Sequence, residues 1–247
     1  MKVLAIIPAR YASTRFPGKP LVDIAGKSMI QRVVEKVQEC ASISQLVVAT
    51  DDERIFNHVL SFGAHSVMTS SDHPSGTDRC LEAYMNINSD ADCIINVQGD
   101  EPFVDAAQLT SLIQLIAKAD VSIATLAKKI THSSALFDPS KVKVVFDNHS
   151  RALYFSRHAI PFVRNAEESH WLSMHAYYKH LGLYAYKPEK LKEICALLPS
   201  SLEKAESLEQ LRWLENGHTI HVAITDIESP AIDTPKDLQA VLKRYFS

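Results

Sequence analysis

Three cations crowd one short stretch near the start of the chain: Arg10, Arg15 and Lys19 lie within "IPARYASTRFPGKP", directly after the apolar run Val3–Ile7 and Pro8. Cations on one loop repel one another, so the cluster makes most sense with a polyanion lying across it, and a triphosphate has the matching charge density. Any one of them alone reads as an ordinary surface cation; their joint position after a strand points to a phosphate cradle. The loop contains neither GxxxxGK[ST] nor GxGxxG. "NVQGDEP" ends an apolar run with Gly99 and then sets two carboxylates, Asp100 and Glu101, in a row. That is either a way to hold a hard cation such as Mg2+ with few protein ligands or an ordinary Gly-Asp turn. "DHPSGTDR" brings Ser75 and Gly76 to the start of a helical segment, where backbone amides take an oxyanion or a base carbonyl, unless Ser75 only caps the helix. "AIDTPKDL" places Asp233 just before Pro235, as a helix cap or a second metal ligand, and a partner carboxylate decides between the two. His180 in "KHLGLYAY" opens an apolar strand, and one histidine among eleven is not by itself a functional signal.

These loops need a frame that aims them at one place. Apolar, β-branched runs alternate with segments of 3.6-residue period through the first half: Val3–Ile7, Met29–Val37, Leu46–Ala49, Ile55–Leu60, Val67, Leu81–Ile87 and Ile94–Val97. The alternation predicts βαβ units, an α/β fold with a mostly parallel central sheet and helices on both faces. Ser28 with Gln31, and Thr50 with Glu53, have capping-box spacing. After a helix over Ala107–Ala117 the texture shifts to strands at Val121–Ala127, Val142–Phe146, Ala152–Phe155 and Leu181–Tyr186. A polar, poorly periodic segment, Arg164–His175, reads as a mobile or partner-contacting loop. Helices around Leu202–Leu214 and Pro235–Tyr245 flank a strand at Ile220–Ile224. No internal repeat or Gly/Ser linker divides the chain, which favours one compact body.

Bulk composition narrows the chemistry. The formal charge of -3 argues against a nucleic-acid or anionic-membrane surface, so an anion site must be local. Cys40, Cys80, Cys93 and Cys195 form no CxxC pair and no zinc spacing with histidines, which reads as four small buried hydrophobes in a reducing cytoplasm. The apolar stretch before Pro8 is too short for a signal h-region or a membrane span, so a soluble, unprocessed protein is expected.

Taken together and in order, "IPARYASTRFPGKPL", "ATDD", "DHPSGTDR", "NVQGDEP", "ALYFSR", "KHLGLYAY", "LEQLR" and "IDTP" resemble the 3-deoxy-manno-octulosonate cytidylyltransferases, the CMP-Kdo synthetases, over essentially the whole chain. The first motif is shared by the wider group of CMP-sugar-acid synthetases, while "KHLGLYAY" with "LEQLR" narrows the likeness to the Kdo branch. The resemblance implies a Rossmann-like nucleotidyltransferase fold. About 1–130 would form a nucleotide-binding half, and about 131–247 a smaller, β-rich half for the sugar acid and for dimerisation. It further implies a cytoplasmic homodimer that uses Mg2+ to join CTP and Kdo into CMP-Kdo and pyrophosphate for lipopolysaccharide assembly. By matching motif, Arg10, Arg15 and Lys19 would face the triphosphate, Ser75, Gly76 and Arg79 would lie by the nucleotide, and Asp100 and Asp233 would hold magnesium. Gln98, Arg157, His180, Glu209 and Gln210 would line the sugar-acid pocket, with Arg157 expected on the sugar carboxylate because guanidinium matches that group bidentately. Three positions depart from the family pattern: Ser28 for a usual Pro, Asp78 for a usual Glu, and Lys236 for an acidic residue after "DTP". A sister synthetase for sialic acid or 8-amino-Kdo, and a non-catalytic CTP-binding module, are the rival readings.

Overall fold

The structure is a computed structural model that describes residues 1–12, 16–230 and 232–246. The chain opens with β1 (Val3–Ala9), a short ribbon of β2 (Asp23–Ile24) and β3 (Lys27–Ser28), and then α1 (Met29–Gln38). Next come β4 (Gln45–Thr50), α2 (Glu53–Ser61), β5 (Ser66–Met68), α3 (Gly76–Asn86), β6 (Cys93–Asn96) and α4 (Ala106–Ile116). The second half runs β7 (Ile123–Lys129), α5 (Ser133–Leu136), β8 (Lys143–Phe146), β9 (Ala152–Ser156), α6 (Trp171–Met174) and β10 (Tyr178–Tyr186). It closes with α7 (Pro188–Cys195), α8 (Ser201–Glu206), α9 (Gln210–Glu215), β11 (His221–Ile224) and α10 (Pro235–Tyr245).

One large sheet takes the order β11-β7-β10-β6-β1-β4-β5, with β8 and β9 branching off β10. β1 lies between β4 and β6, parallel to both, as an uninterrupted apolar run predicts for a strand covered on each face. Its odd residues Val3, Ala5 and Ile7 pack with Val33, Ile55 and Leu112 of α1, α2 and α4. Its even residues Leu4 and Ile6 pack with Ala83, Leu191 and Trp213 of α3, α7 and α9. The expected α/β frame is therefore present, with one mixed feature. β10 comes from the second half yet inserts antiparallel between β6 and β7, so the two halves share a single sheet.

Several local expectations are corrected. The helix around Leu202–Leu214 is two helices, broken where Ser207 turns to φ 51, a left-handed conformation that ends α8. The cap of α2 is Asp52, whose carboxylate accepts from Arg54 N, rather than Thr50. Ser28 does cap α1, accepting from Gln31 N. The segment 164–175 is not a bare loop: it contains α6, and Trp171 is buried against Leu136 and Tyr177 in a satellite core. A single indole supplied that burial, which periodicity does not detect.

Candidate active site

The carboxyl-terminal ends of β1 and β6 and the amino-terminal end of α3 meet at one cavity of about 210 Å³. Arg10, Lys19, Ser75, Gly76, Arg79, Gln98 and Asp100 line it, all of them residues that the sequence singles out. Arg15 lies outside the described residues. Two glycines allow the close approach of these loops. A Cβ on Gly99 would stand 2.9 Å from the carbonyl oxygen of Pro8, and one on Gly76 would stand 3.3 Å from the Pro8 ring. β1, β6 and α3 thus converge on Pro8, with no room for a methyl at Gly99 and a tight fit for one at Gly76.

The decisive contact joins distant parts of the chain. Lys19 Nζ donates to Asp100 Oδ2 at 2.6 Å and to Asp233 Oδ1 at 3.3 Å, so the two candidate metal carboxylates face one ammonium. A small separate core sets this meeting. Phe16, Val22, Ile24 and Met29 from the Lys19 segment, Phe103 from the Asp100 loop, and Ile232, Leu238 and Val241 around Asp233 pack together. Asp233 precedes a helix, as the sequence suggests, but the cap of α10 is Thr234, which forms a capping box with Asp237. That leaves the Asp233 carboxylate directed at Lys19. Among the described residues no set of three or more His, Cys, Asp and Glu converges as a ready-made metal cage. Two carboxylates beside a phosphate-sized cavity are nonetheless the donor set that suits Mg2+, which keeps several waters and dehydrates reluctantly.

Glu101, the second carboxylate of "NVQGDEP", is not among the cavity lining. It is buried, and burial, reinforced by the charges of Asp100 and Asp233 against that of Lys179, pushes its carboxyl up to about 8. Its Oε1 would touch a Cβ placed on Gly182, and Gln98 Nε2 donates to the carbonyl of the same Gly182 at 3.3 Å. The adjacent carboxylates of "QGDEP" therefore part ways, Asp100 to the cavity and Glu101 into the sheet beneath it.

Of the residues expected at the sugar-acid pocket, Gln98 lines the cavity, while Arg157, His180, Glu209 and Gln210 are not among its lining. Arg79 is buried, with its guanidinium on Thr69 Oγ1 at 2.5 Å and on Asp51 Oδ2 at 3.2 Å, so it floors the cavity while its charge is engaged. Glu209, the residue before α9, reaches the same loop, with Ser75 Oγ 2.9 Å from its Oε1 and Thr77 Oγ1 donating to its Oε2 at 2.9 Å. Gln210 is buried beside it, its Nε2 without a hydrogen-bond partner. His180 Nε2 lies 3.0 Å from Thr125 Oγ1, its ring wedged between Phe155 and Tyr184; burial pushes it down to about 3, so the imidazole is neutral. Arg157 stands apart from the cavity lining. Its Nε donates to the Glu206 carbonyl at 2.7 Å, and its other nitrogens donate to the carbonyls of Pro139 and Ser207. The buried Lys143 in turn holds the Arg157 carbonyl. His73 also lines the cavity and pairs with Glu82; nothing in its spacing marks it as part of the site.

A family model described as "Cytidylyltransferase" matches residues 4–220. The chain belongs to the 3-deoxy-manno-octulosonate cytidylyltransferase family. It is 53% identical over 242 residues to a member from Cytophaga hutchinsonii, covering 98% of this chain and 96% of that one. The member from Bacteroides thetaiotaomicron is 54% identical, with 97% and 96% covered. Among solved structures, CMP:2-keto-3-deoxy-manno-octonic acid synthetase complexed with CTP superposes with a TM-score of 0.90 at 42% identity, covering 98% of this chain and 97% of that chain. A putative glucose-1-phosphate thymidylyltransferase from Bacillus anthracis, at 17% identity and a TM-score of 0.65, shares the fold. The chain is a nucleotidyltransferase.

Proposed function

We propose that this cytidylyltransferase binds CTP in the cavity between β1, β6 and α3 and transfers CMP to the anomeric hydroxyl of 3-deoxy-manno-octulosonate, releasing pyrophosphate. The observation that carries the reading is the convergence of Lys19, Asp100 and Asp233 beside that cavity. In such a transfer most of the barrier is lowered by positioning and by charge neutralisation, and both kinds of group are at hand. Arg10 and Lys19 would hold the departing pyrophosphate, a role the family resemblance also implies for Arg15. The amides at the start of α3, at Gly76 and Thr77, would approach the anionic nucleotide from the side the helix dipole favours. Asp100 and Asp233 would hold Mg2+; when bound, the ion supplies Lewis acidity and neutralises phosphate charge. Gln98, held by Gly182, and the neutral His180 would present hydrogen-bonding groups to the sugar acid, with Glu209 and Gln210 behind them.

A homodimer is part of the same proposal. Leu153 on β9, Phe162 and Met174 are exposed apolar side chains of the second half, 62%, 73% and 62% accessible, of the kind a partner surface covers. The four free cysteines suit a cytoplasmic enzyme acting in lipopolysaccharide synthesis, and among the described residues no helix is long and apolar enough to cross a membrane. A pyrophosphate-release assay with CTP, Mg2+ and separate arms for Kdo, 8-amino-Kdo and sialic acid tests the activity. Release with Kdo in preference to the other two is expected. CTP binding without release in any arm would leave only a nucleotide-binding module. Sedimentation of the purified protein reads the oligomer.

A further inference from the structure

The hydroxyl of Ser75 has one proton and two carboxyl neighbours. Its Oγ lies 2.7 Å from Asp78 Oδ2 and 2.9 Å from Glu209 Oε1, and it also accepts from the backbone amide of Asp78 at 3.2 Å. A hydroxyl donates once, so at one of these carboxyl oxygens a lone pair of Ser75 faces the acceptor. With both carboxylates ionised that contact is oxygen against oxygen with no hydrogen between them. A proton on one carboxyl removes the conflict and satisfies every atom of the set. Glu209 is the place for it. Its Oε2 already accepts from Thr77 Oγ1 at 2.9 Å, which leaves Oε1 to donate to Ser75 while Ser75 donates to Asp78.

We propose that Glu209 is held as the neutral acid, its Oε1 proton donated to Ser75 Oγ, and that the relay Glu209–Ser75–Asp78 positions the loop that faces the nucleotide. The surroundings favour the uncharged form. From α3, Asp78 brings a negative charge and Cys80 a thiol; from β10, Tyr184 and Tyr186 bring phenols; from α7, Cys195 brings a second thiol; burial pushes all four of these hydrogen-bearing groups up, so they stay neutral. From α9, which Glu209 immediately precedes, the cation facing it is Arg212, and that guanidinium is taken in a two-pronged pair by Glu203, at 2.7 and 2.5 Å. Burial is the largest influence on the Glu209 carboxyl and, with the smaller effect of the Asp78 charge, raises it above the usual range against the opposing pull of the Thr77 and Ser75 hydroxyls and of Arg212. Asp78 and Glu209 are positioning residues, since they act through Ser75, which with Gly76 lines the cavity. A neutral Glu209 keeps a second carboxylate charge away from the end of α3, where the anionic nucleotide would lie. Ionisation would add that charge and break the hydrogen bond to Ser75 together.

The first test needs no ligand, so its failure is distinct from failure of the proposed activity. Side-chain carboxyl resonances of the 13C-glutamate-labelled protein are followed from about pH 4 to about pH 10, with Glu209 assigned by its loss in Glu209→Gln. The Glu209 resonance is expected at its protonated position at neutral pH, and in Asp78→Asn it is expected to titrate at a lower pH. Titration of Glu209 in the ordinary carboxylate range of the wild type, or a titration unmoved by Asp78→Asn, overturns the proposal. The second test rests on the cavity being the nucleotide site. KM for CTP is expected to rise on the alkaline side by up to about tenfold per pH unit, and Glu209→Gln, which keeps a hydrogen for Ser75 without the ionisation, is expected to lose that limb. An alkaline limb that survives in Glu209→Gln overturns the link to binding.

Discussion

The backbone amide of Ile232 donates to the carbonyl of Asp100 at 3.0 Å, so the two carboxylate-bearing loops are joined by main chain as well as through Lys19. Neutralising one carboxylate should therefore remove cation affinity without releasing the loops. Asp100→Asn and Asp233→Asn are each expected to lower turnover by about a hundredfold or more, the scale of losing one transition-state electrostatic group. Both should weaken Mn2+ binding, read by electron paramagnetic resonance on the free protein, with melting temperatures close to wild type. An Asp100→Asn protein with wild-type turnover in Mg2+ would overturn the metal assignment.

Gly99→Ala should be far more harmful than its single methyl suggests. The new Cβ would stand 2.9 Å from the Pro8 carbonyl, and that atom belongs to the backbone of the central strand β1 rather than to a flexible side chain. Either β1 or the loop after β6 must shift, at a cost of about 1–3 kcal/mol by analogy with overpacked cores. Because the same shift moves Gln98 and Asp100, kcat/KM for CTP should fall along with stability in urea unfolding. Gly26→Ala is the control for loss of a glycine, since nothing lies within 4 Å of a Cβ there, although its φ of 84 still strains an L residue.

These two residues show how much the sequence discloses. The site was legible where chemistry and chain position coincide. Lys19, Ser75, Gly76, Gln98 and Asp100 all follow strands or start a helix, and parallel strands deliver such loops to one edge. Asp233 was ambiguous in the sequence because a carboxylate before a helix reads equally well as a cap. In the fold Thr234 takes the cap instead, and the Asp233 carboxylate faces Lys19. The engagement of Arg157 with the carbonyls of Glu206, Ser207 and Pro139 was illegible, since it depends on the break at Ser207 between α8 and α9. Glu101 was hidden for a different reason: burial of a carboxyl is a property of the packed sheet, and its neighbour in sequence points the other way.

Gln108 is a prediction the fold alone makes. It is fully buried on α4; its Oε1 accepts from Asp105 N at 3.0 Å and from Ser229 Oγ at 3.2 Å, and its Nε2 donates to the Ile227 carbonyl at 3.4 Å. One amide thus closes the capping box of α4 and holds the strand-to-helix connection that leads to Asp233. Gln108→Leu leaves these groups unpaired and should cost about 1–3 kcal/mol. It should also raise the Mg2+ concentration needed for half-maximal activity while KM for CTP at saturating metal stays near wild type. An unchanged metal requirement would confine Gln108 to stability.

His180 contributes to the acid side of the stability profile. Its imidazole is pushed by burial down to about 3 in the folded protein, while the unfolded chain takes up a proton at the ordinary value of 6.5. The depressed folded value means that the unfolded state binds the proton first. The contribution is therefore fully present above about 6.5 and is lost as pH falls from there toward 3, at no more than about 1.4 kcal/mol per pH unit. Carboxylates also lose their favourable contacts on acidification, so the wild-type profile by itself does not isolate the histidine. The comparison that does is the gap in unfolding free energy between wild type and His180→Gln, which keeps a hydrogen-bonding group near Thr125 Oγ1 but has no proton to take up in this range. Measured in urea at several values from neutral down to about pH 5, that gap should shift steadily against the wild type as pH falls. A gap that stays constant would mean that His180 takes up its proton in the folded state as readily as in the unfolded one. Its ring would then be solvated rather than wedged between Phe155 and Tyr184.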